Sequence, residues 1–195
     1  MHKLTILALD DHPLICKAIE SILKTDPKVE LAVSTTNISD ALKTYKEINP
    51  NFLILDVNLG SSETNGFIFF EELKKLGFTG KSLCISSEDS PVLSEASQGA
   101  GMDGFIAKTQ ATESLIDSIN IISAGYKIFK KSEKNVVLSN RESQVLTMLL
   151  SGSKNSEIAV NLNLSQKTIS TYKARVLKKY SVNNPIELTK FNVNL

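Results

Sequence analysis

The feature that most constrains the fold is an alternation of short apolar runs with segments of helical spacing over the first 124 residues. The apolar runs lie at 4–9, 29–33, 52–57, 82–86 and 104–107. Each is short and apolar on both faces, which is typical of strands buried in a parallel sheet. Segments with apolar residues at helical spacing follow them at 13–24, 38–48, 66–76, 92–100 and 112–124. The pattern predicts an α/β fold with a doubly wound, five-stranded parallel sheet.

Polar side chains stand at the ends of four of these apolar runs: Asp10 with Asp11, then Asp56, Ser86 and Lys108. In a doubly wound sheet the ligand site lies beyond the carboxyl ends of the strands. Any one of these residues alone would be an ordinary polar residue at a strand end. Their arrival from four different strands favours a shared site.

The chemistry of this set suits phosphoryl transfer. Two adjacent carboxylates, Asp10 and Asp11, are costly unless a cation compensates their charge, and Mg²⁺ takes oxygen ligands from one or two carboxylates. Asp56 could attack phosphorus as a nucleophile, while Lys108 neutralises charge on the phosphoryl oxygens. Ser86 would donate a hydrogen bond to the attached phosphoryl group.

The segments LALDDHP, LILDV, CISS and AGMDGFIAK resemble the receiver domain of bacterial two-component response regulators, which has a CheY-like, flavodoxin-like fold. The resemblance covers residues 1 to about 124 and implies that Asp56 accepts a phosphoryl group from a sensor histidine kinase. It also implies that Asp56 joins the acid pair in holding Mg²⁺, with the backbone carbonyl of Asn58 completing the metal shell. Ser86 and Phe105 match the switch pair of that family, in which the hydroxyl moves to the phosphoryl group and the ring turns inward.

The loop at 58–66 departs from this family because it lacks the usual proline and is about two residues longer, which leaves its conformation open. Asn58 and Glu88 stand two residues after Asp56 and Ser86, a combination that resembles chemotaxis-type receivers. We therefore expect fairly fast loss of the phosphoryl group.

After the last helical segment, residues 126–137 contain a run of Lys and little periodicity, and we predict a linker there. The predicted domains are therefore 1–125 and 138–195. Ser139 and Glu142 form a capping box ahead of a helix at 140–150. A short helix at 155–162 and a third helix capped by Ser165 are joined by a tight polar connection, which predicts a small all-α helix-turn-helix domain.

The two parts differ in charge: residues 1–130 carry a net −5 and residues 131–195 a net +6. A basic C-terminal part suggests a polyanion as partner, although uneven surface charge is the plainer alternative. On the third helix an apolar face alternates with a basic one, so the charge alone fits either a DNA-reading helix or a solvated one.

The segment LSNRESQVLTMLLSGSKNSEIAVNLNLSQKTISTYKARVLKKYSVNNPIEL resembles the LuxR-type DNA-binding domain, and KTISTYKARV is similar to the BvgA and EvgA branch. A receiver joined to this module is the NarL/FixJ class. The resemblance places base-reading positions at Ser170, Thr171 and Ala174, whose small side chains favour thymine methyl contacts or readout of DNA shape. Our candidates for phosphate backbone contacts are Lys167, Thr168, Lys173, Arg175 and Lys178.

The sequence thus predicts a transcriptional regulator that is no enzyme beyond its own phosphorylation and dephosphorylation. Expected partners are the kinase, double-stranded promoter DNA, a second copy in a phosphorylated homodimer and, as a further candidate, RNA polymerase. The absence of a long apolar run or a signal peptide predicts a cytoplasmic protein without a membrane span. Cys16 and Cys84 lack metal-like spacing and are expected to be small buried hydrophobes.

Two rival functions stay open at this level. The first is a regulator that binds DNA constitutively, with an acid cluster that serves only stability or Mg²⁺ binding. The second is a phosphatase that turns over through an aspartyl-phosphate. The phosphatase lacks a second acid placed to act as general acid, and it leaves the basic C-terminal part unexplained.

Overall fold

The computed structural model describes residues 3–60 and 65–189, and of residues 112 and 113 only the backbone. Its elements in chain order are β1 Leu4–Leu9, α1 Pro13–Leu23, β2 Val29–Thr35, α2 Ile38–Ile48, β3 Phe52–Asp56, α3 Gly66–Lys75, β4 Lys81–Ser86, α4 Pro91–Gly99, β5 Gly104–Ala107, α5 Lys108–Ser123, α6 Asn140–Leu150, α7 Asn155–Asn161, α8 Gln166–Tyr180 and α9 Pro185–Thr189. In this described part, no helix is both long and apolar enough to cross a membrane.

The sheet has five parallel strands in the order β2-β1-β3-β4-β5. Successive side chains of a strand point to opposite faces of the sheet. Leu7 and Leu53 therefore pack with residues of α2, α3 and α4, while Ile6 and Ile54 pack with residues of α1 and α5. This confirms the predicted doubly wound α/β fold, and the strand order reverses between β1 and β3, where such folds bind their ligands.

Two local predictions are wrong. The second strand is expected from its sequence to be buried on both faces, but β2 is an edge strand in which Glu30 and Leu31 are exposed. Helix α5 begins at Lys108 and not at residue 112, because it follows β5 directly. Its N-cap, Ala107, makes no side-chain hydrogen bond, so the sequence holds no capping signal for this start.

The segment at 126–137, predicted to be a linker, lies against the N-terminal α/β unit. Ile128 forms a parallel bridge with Gly104 of β5, and its carbonyl accepts a hydrogen bond of 2.8 Å from the Phe105 amide. The Lys130 amide donates to Ser94 Oγ of α4 at 2.7 Å. The backbone of this segment is therefore fixed at several points along α4 and β5.

The C-terminal helices follow the prediction closely. Ser139 and Glu142 form the expected capping box at the start of α6, and Ser165 caps α8. Asn163, between α7 and α8, adopts a left-handed conformation with φ of 51°, which permits the tight turn. Leu164 and Ile169 pack in the same apolar cluster. Helix α9 is an element that the sequence pattern does not predict.

Helix α6 packs on α3 and α4, so the two parts of the chain share a buried interface. The apolar cluster on the α3 and α4 side of the sheet continues into Leu146 of α6 and Val176 of α8. Gly99 allows this close approach, because a Cβ there would lie 2.3 Å from Ser143 Oγ and 2.7 Å from the Leu138 carbonyl oxygen.

Candidate functional site

The strand ends bring the predicted acidic and basic side chains together. Lys108 Nζ lies 2.7 Å from Asp10 Oδ2 and 2.7 Å from Asp56 Oδ2. Asp10 and Asp56 are almost fully buried, and the Lys108 side chain is only 10% exposed. One ammonium thus bridges two carboxylates from β1 and β3, at the point where the strand order reverses.

Asp11 and His12 border this cluster on its solvent side. His12 Nδ1 lies 2.8 Å from Asp11 Oδ1 and 3.2 Å from Asp10 Oδ1. One ligand atom each from these three residues and Asp56 lie within 4.8 Å of one another. The histidine is not singled out by the sequence pattern, although it stands beside the acid pair.

The donor set fits a hard divalent cation. Asp10 Oδ2 and Asp11 Oδ1 are buried oxygens that accept no hydrogen bond with acceptable geometry in the described structure, although each lies close to a nitrogen of Lys108 or His12. Buried carboxylate oxygens are costly unless a donor or a cation compensates them. Asp10, Asp11 and Asp56 therefore offer the ligand chemistry that Mg²⁺ prefers.

The environment of Asp56 favours its protonated form. Burial, acting against the hydrogen bond and the charge of Lys108, raises the pKa of Asp56 to about 6, and Asp10 adds to the increase. Burial alone would lower the pKa of Lys108, but its close contacts with the carboxylates of Asp10 and Asp56 outweigh this effect and raise that pKa. Lys108 therefore stays protonated beside Asp56.

The remaining predicted residues lie on the loop after β3, on β4 and on β5. The Asn58 amide donates to Asp56 Oδ1 at 3.2 Å. Ser86 is fully buried at the end of β4, and its Oγ accepts a hydrogen bond of 3.1 Å from the Glu88 amide. Phe105 is 1% exposed, so its ring lies inside the protein. Residues 61–64 of the 58–66 loop lie outside the described residues.

The polar face of α8, which carries the predicted DNA-contacting residues, is exposed to solvent. Its exposed members are Lys167, Ser170, Thr171, Ala174, Arg175 and Lys178, while Thr168 and Lys173 are partly covered. On the opposite face Ile169, Val176 and Tyr180 are buried. In this arrangement the N-terminal α/β unit does not cover the exposed residues.

Contacts within the helices orient some of these side chains. Asn155 Nδ2 of α7 donates to Ser170 Oγ at 3.2 Å, which adds a residue that the sequence does not indicate. Ser170 and Thr171 donate to carbonyls of the preceding turn. The Arg175 guanidinium lies 5.8 Å from the centre of the Tyr172 ring, within the range of a cation–π contact.

Glu95 of α4 is a further residue that the sequence pattern does not reveal. It is 2% exposed, and its Oε1 accepts hydrogen bonds from the Ser132 amide, the Ser132 hydroxyl and the Val136 amide at 2.8–3.1 Å. Its Oε2 accepts a hydrogen bond of 2.8 Å from Tyr180 Oη at the end of α8. This carboxylate therefore joins α4, the segment at 126–137 and α8.

The comparisons with known proteins agree with this geometry. Residues 6–120 match the model of the response regulator receiver domain, and residues 136–191 match that of the bacterial regulatory proteins of the luxR family.

Relatives and solved structures match along nearly the whole chain. The virulence-factor transcription regulator BvgA of Bordetella pertussis is 30% identical over 198 residues, covering 94% of this chain and 93% of its own. The DNA-binding transcriptional activator EvgA of Escherichia coli is 28% identical over 198 residues, covering 95% of both chains. The RcsB–DNA complex has a TM-score of 0.82 at 22% identity, covering 99% of this chain and 100% of that chain, which shows the same fold. The chain belongs to the response regulators that join a receiver domain to a luxR-type regulatory domain.

Proposed function

We propose that this chain is a DNA-binding transcriptional response regulator in which a histidine kinase phosphorylates Asp56, and that the phosphorylated form binds promoter DNA as a homodimer. The observation that carries the proposal is the bridge of Lys108 between Asp10 and Asp56, at the switch point of the sheet. The exposed basic face of α8 supports the DNA-binding half of the proposal. Residues 1–125 would be the receiver and 138–195 the DNA-binding domain.

In the proposed reaction, an Asp56 carboxylate oxygen attacks the phosphorus of the kinase phosphohistidine. The new oxygen–phosphorus bond forms as the nitrogen–phosphorus bond breaks, and the imidazole leaves with its electron pair and takes a proton. Lys108 lies close enough to Asp56 Oδ2 to neutralise charge that develops on the phosphoryl group. Asp10, Asp11 and Asp56 would hold Mg²⁺ together with the Asn58 carbonyl, and the bound ion would supply further charge neutralisation.

The response would follow from Ser86 and Phe105. The Ser86 hydroxyl stands at the end of β4 and would donate to the phosphoryl group, and the ring of Phe105 on β5 is buried. A phosphoryl group changes the DNA-binding equilibrium only if it stabilises one conformation more than the other. The proposed dimer would read two half-sites, with the N-terminal part of α8 nearest the bases.

A DNA-binding titration tests this proposal. The probe is a labelled duplex selected from a random-sequence library by the full-length chain in the presence of a small-molecule phosphodonor and Mg²⁺. We expect the donor to strengthen binding by the wild-type chain and to leave binding by Asp56→Asn unchanged. Equal activation of both proteins by the donor would contradict the role of Asp56, and strong binding without the donor would favour the constitutive DNA binder.

A further inference from the structure

We propose that the C-terminal helices complete the phosphorylation site, because Thr147 of α6 and Ser151, the C-cap residue of α6, contact the two ends of the loop between β3 and α3. This inference rests on the proposed function of Asp56. It makes Mg²⁺ affinity and the rate of phosphoryl uptake depend on the docking of α6 against the receiver.

The two described ends of the loop between β3 and α3 lie close to Asp56. At its first end the Asn58 amide donates to Asp56 Oδ1, and the Asn58 carbonyl is our candidate metal ligand. At its other end the Gly66 amide donates to the Val57 carbonyl at 3.1 Å. A Cβ at Gly66 would lie only 2.0 Å from the Asp56 carbonyl oxygen, so this end is pressed against the acceptor residue.

Helix α6 contacts both ends of this loop. Ser151 Oγ lies 3.0 Å from Asn58 Oδ1 and 3.0 Å from the Thr147 carbonyl oxygen, so its one proton is shared between these two acceptors. Asn65 Nδ2 donates to Thr147 Oγ1 at 3.1 Å. Residues 147 and 151 are one helical turn apart and therefore share a face. Two contacts from one face of α6 thus bracket the segment that carries the proposed metal ligand.

The hydrogen bond between Asn65 and Thr147 joins the N-terminal cap of α3 to α6. Asn65 Oδ1 accepts from the amides of Phe67 and Ile68 and so caps α3. Thr147 Oγ1 donates to carbonyls of its own helix, which leaves its lone pairs for Asn65 Nδ2. A rotated Asn65 amide would lose the hydrogen bonds from Phe67 and Ile68, and the Thr147 hydroxyl would have to turn away from its own helix to donate to Asn65. Thr147 therefore supports the cap of α3.

Further contacts hold the C-terminal helices against α3 and α4. Glu95 ties the segment at 126–137 and the end of α8 to α4, and its carboxylate is buried with four donors. On the α3 side, Ile68 packs against the apolar core of the C-terminal helices. The contacts of Ser151 and Thr147 therefore belong to a packed interface.

A loop whose ends are held needs less ordering when it binds a ligand. With α6 docked, Asn58 is already close to Asp56, and Mg²⁺ binding does not have to fix it. Without these contacts, part of the free energy of Mg²⁺ binding is spent on ordering Asn58. By reciprocity, Mg²⁺ stabilises the docking of α6 by the same factor by which docking strengthens Mg²⁺ binding.

The test compares full-length Ser151→Ala and Thr147→Val with the wild type. Ser156→Ala is the matched control, because Ser156 is an exposed serine of α7 in the same helical unit. Calorimetric titration with MgCl₂ measures metal affinity, and intact mass after addition of a small phosphodonor follows phosphoryl uptake with time. We expect each variant to weaken Mg²⁺ binding and slow uptake about two- to tenfold, which is the effect of one neutral hydrogen bond.

The conservative variants Ser151→Thr and Thr147→Ser keep the hydroxyl groups, so we expect both to restore wild-type values. Wild-type Mg²⁺ affinity and uptake rate in Ser151→Ala, whose site is exposed and tolerant, would overturn the inference even if Thr147→Val failed to fold. If the wild-type chain takes up no phosphoryl group, the proposed function fails. In that case the MgCl₂ titration alone decides whether α6 supports the loop.

Discussion

The hydroxyl of Tyr180, the last residue of α8, donates a hydrogen bond of 2.8 Å to Glu95 Oε2 in α4. Burial and the neighbouring Glu95 charge both raise the pKa of Tyr180, so the phenol keeps its proton and remains a donor. Glu95 belongs to the helix that connects the strands of Ser86 and Phe105, whereas Tyr180 ends the candidate DNA-reading helix. This hydrogen bond therefore joins α4 of the receiver directly to the end of α8.

Removing the Tyr180 hydroxyl should destabilise the packing of α8 against α4. Tyr180→Phe leaves Glu95 Oε2 without a buried donor, which costs about 1–3 kcal/mol. We expect trypsin to cleave the Lys-rich segment at 126–137 faster in this variant than in the wild type. Tyr126→Phe is the control, because Tyr126 is 69% exposed. Identical cleavage rates in Tyr180→Phe and the control would show that the hydrogen bond does not hold the interface.

Asp56 gives a prediction for the dependence of stability on pH. Its folded pKa of about 6 lies above the ordinary value of 3.8, so the fold prefers the protonated carboxyl. The stability from this proton is fully present below the ordinary pKa and is lost as pH rises through about 6. Asp56→Asn, which stays neutral, should therefore be more stable than the wild type by about 1–3 kcal/mol near pH 7.5 in metal-free buffer.

Urea unfolding with a chelator, at several values between about pH 4 and pH 7.5, measures this difference. The advantage of Asp56→Asn should shrink toward the acidic end of the range. Asp117→Asn is the control, because Asp117 is exposed on α5. A constant difference between Asp56→Asn and the wild type across the range would contradict the prediction.

The basic face of α8 predicts how DNA binding depends on salt. Lys167 and Lys178 are exposed near opposite ends of the helix and can reach phosphates. Each Lys→Ala change should flatten the slope of log affinity against log salt by about 0.9 for every phosphate that the variant no longer neutralises. Lys46→Ala, on α2 of the receiver, should leave the slope unchanged. An unaltered slope in both α8 variants would mean that this face does not meet the DNA backbone.

The parts of the molecule that depend on local pattern are predictable from the sequence. Asp10, Asp56, Ser86 and Lys108 follow or end four predicted strands. Because the carboxyl ends of parallel strands lie at one edge of the sheet, the sequence predicts that these residues share a site. The capping box at Ser139 and Glu142 sets the start of α6 at the correct residue. These signals involve residues that are close in sequence, or a topology that the alternation of strands and helices already determines.

The interface between the two parts is not predictable in this way, because its residues carry no local signal. Glu95 stands among apolar and small residues of α4, and only the packed structure shows that its partners are Ser132, Val136 and Tyr180. The helical start at Lys108 escapes prediction for a related reason: β5 passes into α5 without a capping side chain. The apolar run predicts that Leu31 is buried, but Leu31 is exposed because β2 lies at the edge of the sheet. The position of β2 depends on the strand order, which the local sequence does not determine.

Every functional step proposed for this chain begins with the transfer of a phosphoryl group to Asp56. The decisive experiment measures the intact mass of the full-length wild type and of Asp56→Asn, each incubated with Mg²⁺ and a small phosphodonor. We predict one phosphoryl adduct on the wild type, sensitive to mild base as an acyl phosphate is, and none on Asp56→Asn. The same adduct on both proteins, or no adduct on a wild-type chain that binds Mg²⁺, would show that Asp56 is not the acceptor.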